Sequence, residues 1–195
     1  MRPRTPLDDE TDELLVGRAQ AGDRAAYGEL VRRHQGAALR LAAGVSGSAE
    51  EARDIVQDAF VKGYRSLDRY RGDAPVRSWM LRIVANEAKN EVRGRSRRQR
   101  REHRHERLRL VAADSDPVGD RVAAEAEAAD LLDLLAGLDE HDREVLACRF
   151  VAGLNEADTA ATLDVPLGTV KSRTARALAR ARALAATAVL EVDHG

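Results

Sequence analysis

The side chains with the clearest capacity for chemistry lie in the stretch GTVKSRTAR, residues 168–176. Its cationic and hydroxyl groups can donate hydrogen bonds to phosphate oxygens or to the edges of nucleic-acid bases. The same charges would also suit a helix surface that only faces water. The elements around the stretch must therefore decide between these two interpretations.

Apolar and small residues in and after this stretch recur at helical spacing and predict one helix with two faces. The outward face carries most of the cationic and polar side chains. Gly168 and Thr169 at the amino end would leave backbone amides free for a phosphate. The predicted inward residues are Val170, Thr174, Ala177, Leu178 and Ala181, and the outward ones are Lys171, Ser172, Ala175, Arg176 and Ala179, with Arg173 and Arg180 at the flanks.

A short helix and a turn are predicted just before this stretch. Asn155 can cap a helix that ends near Leu163. The turn follows over residues 164–166, since Pro166 disfavours helix in the residue before it. A support helix, a turn and an outward cationic helix are typical of a helix-turn-helix that enters the major groove of DNA.

The other elements are also predicted to be helices, because Ala, Leu and Arg dominate the composition and aromatic residues make up only 3%. Capping residues and breaks set their limits. The first predicted helix covers Thr11 to Ala21, and the second is capped by Asp23 and ends at Gly44 to Gly47. The third begins with the capping box of Ser48 and Glu51, and the fourth follows the DRYRGDAP loop and ends near Gly94. Two further helices are predicted, one over residues 122–136 and one that Asp139 caps and that carries Phe150 on its core face.

Charge is strongly segregated along the chain, although the 195 residues contain 32 Lys and Arg against 33 Asp and Glu. Residues 89–109 hold 10 Lys and Arg against 3 Asp and Glu, whereas residues 113–145 hold 2 Arg against 11 Asp and Glu. Residues 96–121 are too charged to bury and predict a poorly ordered linker, apart from an extension of the preceding helix. Attraction between the two charged runs could hold the free protein compact, or the acidic run could mimic nucleic acid.

The sequence offers little for catalysis, metal binding or membrane insertion. Cys148 is the single cysteine, which excludes an internal disulfide and any multi-cysteine metal site, and it is expected to be a small buried residue. The five histidines are scattered, and no phosphate-binding loop or Ser/His/Asp set is present. We expect no catalytic residues, no cofactor and no metal. The amino end lacks an apolar run for a signal peptide or a membrane span, so a cytoplasmic protein is expected.

Two groups of motifs together resemble the extracytoplasmic-function (ECF) sigma factors, the small specificity subunits of bacterial RNA polymerase. GTVKSR, after a VP turn and before RAL, resembles the end of region 4. EEARDIVQDAF resembles region 2.2, and RSWMLRIVANEAKNEVRGRSRR resembles regions 2.3 and 2.4. The resemblance implies an all-α fold of two small helical domains: region 2 over residues 9–95, a flexible linker over 96–121 and region 4 over 122–186.

The resemblance also implies the partners and their contact residues. The chain would bind core RNA polymerase and direct it to promoters by reading the −35 element as duplex and the −10 element as an opened single strand. An anti-sigma factor is a further expected partner. The implied −35 residues are Thr169, Lys171, Ser172, Arg173, Ala175 and Arg176; the −10 residues are Tyr70, Arg71, Gly72, Trp79, Asn86, Asn90 and Arg93; and the core polymerase residues are Asp54, Gln57 and Asp58.

Within these sets the residue types favour different roles. Lys171 and Arg176 are the candidates for base edges, with Thr169 and Arg173 on phosphates. Arg180 is expected to lie beyond the bases, available to phosphate, polymerase or solvent. Trp79 is favoured as a core anchor over a stacking platform, and Asn90 stands where the family usually has Asp. In the helix-turn-helix, Thr159, Asp164 and Thr174 replace the more usual Ile, Gly and Leu, and these changes should weaken its packing.

Two other classes of function remain open. A self-sufficient helix-turn-helix regulator, with residues 9–95 dimerising or sensing a ligand, would explain region 4 but would leave the region 2 motifs unexplained. An enzyme with an attached helix-turn-helix would need a nucleophile or a metal-binding carboxylate cluster. The acidic run of residues 114–142 instead suits a solvated linker and helix surface.

Overall fold

The computed structural model describes residues 6–105 and 121–192, and the regular elements in these ranges are helical, which confirms the all-α prediction. None of the described helices is long and apolar enough to cross a membrane. Short helical turns lie at Pro6–Asp9, Leu67–Arg69 and Ala147–Val151. The α-helices of these ranges are α1 (Asp12–Gln20), α2 (Arg24–Ser46), α3 (Glu51–Ser66), α4 (Val76–His105), α5 (Arg121–Ala136), α6 (Glu140–Leu146), α7 (Glu156–Leu163) and α8 (Leu167–Val192).

Side-chain caps begin four of these helices, and the sequence predicted three of them, at Asp23, Asp139 and Asn155. The predicted capping box of Ser48 and Glu51 is half formed: Ser48 Oγ accepts from the Glu51 amide at 3.2 Å, but the Glu51 carboxylate pairs with Arg95 instead of the Ser48 amide. Asp23 Oδ1 accepts hydrogen bonds from the amides of Ala25 and Ala26, at 2.9 and 3.2 Å. Asn155 Oδ1 accepts from the amide of Asp158 at 2.7 Å. Such a cap contributes about 1 kcal/mol because it satisfies an amide that has no partner within the helix. Thr11 caps α1 and Asp139 caps α6 in the same way.

One helix end predicted at glycines is confirmed and another is wrong. α2 runs through Gly44 to Ser46, and Gly47 ends it in the left-handed conformation with φ 74°. α4 runs through Gly94 to His105, since a glycine within a helix costs only about 1 kcal/mol relative to alanine. Residues 96–105 of the predicted linker are thus an extension of α4, and the prediction of poor order for residues 106–120 lies outside the described residues.

Each half of the chain has its own apolar cluster. Leu15, Leu30 and Met80 are buried among α1, α2 and α4. Val145 and Val170 are buried where α6 meets α8. The prediction that Phe150 faces the core is wrong, because its side chain is 57% exposed. Residues Ala147–Val151 form a wider, π-helical turn, which changes the register of the following side chains relative to α6.

A third cluster joins the N-terminal group (α1–α4) to the C-terminal group (α5–α8). Ala147 and Cys148 of the C-terminal group are fully buried in the same cluster as Leu41 and Val84. The backbone approach is close: a Cβ built on Gly44 would lie 2.9 Å from the Cβ of Ala147. The two groups of helices, which the sequence divides into separate domains, therefore pack against each other directly.

Candidate nucleic-acid interface

The last helix presents the face that its periodicity predicts. Val170 and Ala177 are fully buried, whereas Lys171 and Arg176 are exposed. We call the exposed set the reading face: Lys171, Ser172, Ala175 and Arg176.

The reading face has few internal contacts. The Lys171 ammonium lies 3.7 Å from the Glu156 carboxylate, a distance that leaves it available to a stronger anionic partner. Arg176 donates to the carbonyl of Ser172 at 3.4 Å, within its own helix. Small side chains between the cations let a partner approach the helix backbone closely, so this face suits the floor of a DNA groove.

A left-handed residue sets the angle between α7 and α8. Asp164 has φ 57° and ψ 48°, a conformation that a glycine would adopt more easily. Asp164 thus adopts the backbone angles that the usual glycine of this turn favours. The Asp164 carboxylate also lies 3.3 Å from Arg82 of α4, a contact that a glycine could not make.

The other two departures from the family pattern have different outcomes. Thr159 is fully buried, and its hydroxyl donates to the Asn155 carbonyl at 2.8 Å. The Thr174 hydroxyl is buried and has no hydrogen-bond partner among the described residues. An unpaired buried hydroxyl costs about 1–3 kcal/mol, so the weaker packing is expected at Thr174.

Two expectations for α8 need correction. The Thr169 amide is not free, because it donates to the Pro166 carbonyl at 2.9 Å. Arg180 does not point only to solvent: its guanidinium pairs with Asp139 at 2.6 Å and also with Asp142. These contacts tie the middle of α8 to the first turn of α6, and they engage a guanidinium that was expected to be available to phosphate, polymerase or solvent.

Tyr70 stabilises the loop after α3 through a hydrogen bond within the loop and a ring contact with α4. The Tyr70 hydroxyl donates to the Ala74 carbonyl at 2.7 Å, and its ring lies 5.3 Å from the Trp79 ring. Trp79 is half-buried against the apolar cluster of α1, α2 and α4. This position is consistent with a core anchor that supports the loop. Arg71 and Gly72 are exposed at the tip.

Sequence reasoning did not single out the residues of α1 that lie beside this loop. Glu13 and Gln20 line a cavity of about 510 Å³ together with Tyr70 and Arg71. The hydrogen bonds of Gln20 span 47 and 50 residues of sequence. No local spacing could have indicated contacts between such distant residues.

The polar residues of α4 are brought to one side, but not all of them are free. Asn86 and Asn90 are exposed. Arg93 is also exposed, yet its guanidinium lies 2.6 Å from the Glu140 carboxylate of α6. Arg93 is thus held by the C-terminal group in this arrangement.

Among the α4 side chains that the structure describes, Arg93 is one of four cations that meet the C-terminal group. Arg82 also donates from its guanidinium to the Ala161 carbonyl, at 2.6 and 3.1 Å. We call the set the α4 ladder: Arg77 with Asp158 (4.0 Å), Arg82 with Asp164 (3.3 Å), Lys89 with Glu144 (3.4 Å) and Arg93 with Glu140 (2.6 Å).

The residues expected to contact polymerase lie together on α3. Asp54, Gln57 and Asp58 are exposed, above the buried side chains of Ile55 and Val56. Two further carboxylates, which the sequence analysis did not include, come from α4. Glu87 and Glu91 line an acidic groove of about 230 Å³ together with Asp54 and Asp58.

Two family models match this chain, one within the N-terminal group of helices and one within the C-terminal group. Residues 30–98 match the family model for Sigma-70 region 2, and residues 134–183 match the model for Sigma-70, region 4. The chain is 38% identical to the ECF RNA polymerase sigma factor SigM of Mycobacterium tuberculosis over 172 residues, which cover 88% of this chain and 83% of that protein. It is 33% identical to the ECF RNA polymerase sigma-E factor of Escherichia coli over 177 residues, 86% of this chain and 90% of that protein.

A solved structure is similar over nearly the full length. The structure of CnrH in complex with the cytosolic domain of CnrY matches with a TM-score of 0.70 and 28% identity. The match covers 91% of this chain and 99% of CnrH. Helix α1, residues Asp12–Gln20, lies outside both family-model ranges.

Proposed function

Because this chain belongs to the ECF group of sigma-70 factors, non-enzymatic subunits that direct RNA polymerase to promoters, we propose that its two helical groups divide promoter recognition between them. Region 4 is assigned to residues 122–186 and reads the duplex −35 element. The observation that carries this assignment is the exposed reading face on a helix whose opposite side carries the fully buried Val170 and Ala177. Lys171 and Arg176 contact base edges, and Thr169 and Arg173 contact phosphates.

Region 2 is assigned to residues 9–95 and holds the opened −10 strand. Binding a single strand requires cations along its backbone and openings that accept an unstacked base. The exposed loop tip at Arg71 and Gly72, beside the cavity, supports base capture. The exposed amides of Asn86 and Asn90 support strand contact, and Arg93 supplies attraction to phosphate once it leaves Glu140.

Core polymerase is assigned to the exposed carboxylate and amide side of α3. Asp54, Gln57 and Asp58 project from a helix whose inner face is fixed by packing. A rigid helix that carries exposed acceptors suits a cationic or amide-rich partner surface. This surface lies on α3, whereas the reading face lies on α8, so both can be engaged at once.

The partner and the compartment follow from the family. CnrH was solved with the cytosolic domain of CnrY, and we assign an anti-sigma factor to this chain as well. The chain acts in the cytoplasm, where polymerase and promoter DNA are found. The absence of a helix that could span a membrane among the described residues agrees with this location.

In vitro transcription with core polymerase tests the proposal. The purified full chain should confer specific initiation on promoters from its own genome, and core polymerase alone should not. Failure on all of those promoters would overturn the assignment. A specific promoter footprint by the purified chain without polymerase would instead favour the self-sufficient regulator.

A further inference from the structure

Helix α1 forms one wall of the cavity beside the −10 loop. The cavity of about 510 Å³ has Glu13, Gly17 and Gln20 on one side, and Tyr70 and Arg71 on the other. Its size falls within the range of pockets that hold small organic groups, roughly 300–1,000 Å³. A nucleobase is such a group. Neither family-model range includes α1, so family membership alone gives this wall no role.

Gln20 fixes the position of the opposite wall. Its side-chain amide nitrogen donates to the carbonyls of Leu67 and Tyr70, at 3.0 and 3.2 Å. These two carbonyls belong to the first residue of the short helical turn Leu67–Arg69 and to the residue directly after it, where the loop begins. One side chain thus holds both ends of the turn against α1 and sets the width of the cavity.

Glu13 supplies a hydrogen-bond acceptor inside the cavity. Glu13 lines the cavity from α1 and Asp73 lines it from the loop, and after burial the charges of these carboxylates help to raise the pKa of the Tyr70 phenol. Gly17 lies one helical turn after Glu13, and a Cβ built there would meet no atom within 4 Å. The space beside the carboxylate is therefore open to a ligand.

We propose that α1 reads the captured −10 base: Glu13 accepts a hydrogen bond from its exocyclic amino group, and Gln20 is the positioning residue that holds the loop for this contact. Adenine, cytosine and guanine carry such an amino group, whereas thymine has none. Its O4 stands where cytosine has the amino group and repels a carboxylate, and its one donor, N3–H, lies between two carbonyl oxygens. The cavity therefore discriminates against thymine at one −10 position. This inference rests on the proposed −10 role of the loop.

Selection from a randomised strand tests the inference. Holoenzyme, reconstituted from core polymerase and the full chain, is incubated with fork-junction DNA whose −10 non-template single strand has random sequence, and bound molecules are sequenced. Wild-type protein should deplete thymine at one position about tenfold, the effect of one hydrogen bond to a charged group. Glu13→Gln should remove that depletion, because an amide can also donate to a thymine carbonyl.

A matched variant and a base analogue separate reading from general charge effects. Asp68→Asn removes an exposed carboxylate near the loop that does not line the cavity, and it should keep the wild-type profile. Replacing adenine with purine at the selected position removes only the amino group. This replacement should weaken wild-type binding about tenfold and Glu13→Gln binding little, as expected for a direct pair.

Gln20→Leu tests positioning, since leucine fills similar space but cannot donate to the two carbonyls. We expect the fluorescence of 2-aminopurine at the selected position to report weaker capture, while binding to duplex −35 DNA is unchanged. If Gln20→Leu also weakens −35 binding, its effect is general and the positioning role is wrong.

The possible failures are distinguishable. A wild-type holoenzyme that enriches no −10 sequence would overturn the proposed −10 function, and the inference would fall with it. A wild-type holoenzyme with clear −10 preferences that Glu13→Gln leaves intact would overturn the inference alone.

Discussion

Replacing Gly44 with alanine should separate the two groups of helices. Gly44 lies within α2, where that helix meets the turn after α6. The added Cβ would lie 2.9 Å from the Cβ of Ala147 and 3.5 Å from the Cβ of Val151. Both neighbouring atoms are held by their backbones, so the contact is relieved only if the two groups move apart.

The size of the effect follows from two opposing terms. Inserting a methyl group into a packed contact costs about 1–3 kcal/mol, which would raise the ratio of open to closed protein about 5- to 150-fold. Alanine in a helix is favoured over glycine by roughly 0.5–1 kcal/mol, and this gain belongs to α2 whether the groups are open or closed. The variant should therefore open the protein without destabilising the N-terminal group.

Small-angle X-ray scattering measures the opening. A compact chain of this length has a radius of gyration of about 16 Å, and separated groups would give a larger value. Gly28→Ala is the matched control, because Gly28 also lies in α2 and a Cβ there meets no atom within 4 Å. Measurement at low and high salt tests the electrostatic part, since salt weakens the α4 ladder but not the apolar contact.

Two results would refute this reasoning. If Gly44→Ala and Gly28→Ala scatter identically, the close contact between α2 and Ala147 does not hold the groups together in solution. If wild-type compactness is the same at low and high salt, attraction between the charged surfaces makes no contribution to it.

The remaining predictions concern the assigned surfaces and the buried thiol. Lys171→Ala with Arg176→Ala should lower −35-dependent initiation at least tenfold, at about 1–3 kcal/mol for each base contact, and leave core polymerase binding intact. Asp54→Ala with Gln57→Ala should do the reverse and weaken core binding about tenfold in a pull-down titration. Cys148 should react slowly with a maleimide in the folded protein, because burial raises the pKa of its thiol and blocks access, and faster in any variant that opens the two groups.

Each of the two surface predictions has a control that removes the same kind of charged group elsewhere. Arg24→Ala removes an exposed cation remote from α8 and should leave −35 dependence unchanged. Asp130→Ala removes an exposed carboxylate on α5 and should leave core binding unchanged. Equal losses in variant and control would contradict the surface assignments, and rapid labelling of Cys148 in the closed wild-type protein would contradict its burial.

Local signals in the sequence predicted where helices begin. A cap is read from residues three positions apart, and the predicted caps at Asp23 and Asn155 are confirmed by their hydrogen bonds. Helix ends were harder to place, because a glycine serves equally well as a terminator or as a point of close packing. The stretch from Gly44 to Gly47 was interpreted as the end of α2 and does end it, whereas Gly94, interpreted as the end of α4, lies inside that helix.

Contacts between distant residues explain what the sequence did not predict. The reading face follows from periodicity within one helix, so its exposure could be predicted. The engagement of Arg180 by α6 and of Arg93 by Glu140 depends on how separate helices pack, and no spacing along the chain encodes it. The same holds for Gln20, which meets carbonyls 47 and 50 residues away.

The pair between Arg93 and Glu140 places two partners in competition for one guanidinium. Under the proposed −10 role, Arg93 binds either the acid of α6 or the promoter strand, so only the open fraction of the protein can bind the −10 strand fully. Apparent affinity falls in proportion to that fraction: a protein that is 1% open binds about a hundredfold more weakly than its intrinsic affinity. Core polymerase that selects the open form would restore this factor, which makes polymerase and promoter positively cooperative ligands of one chain.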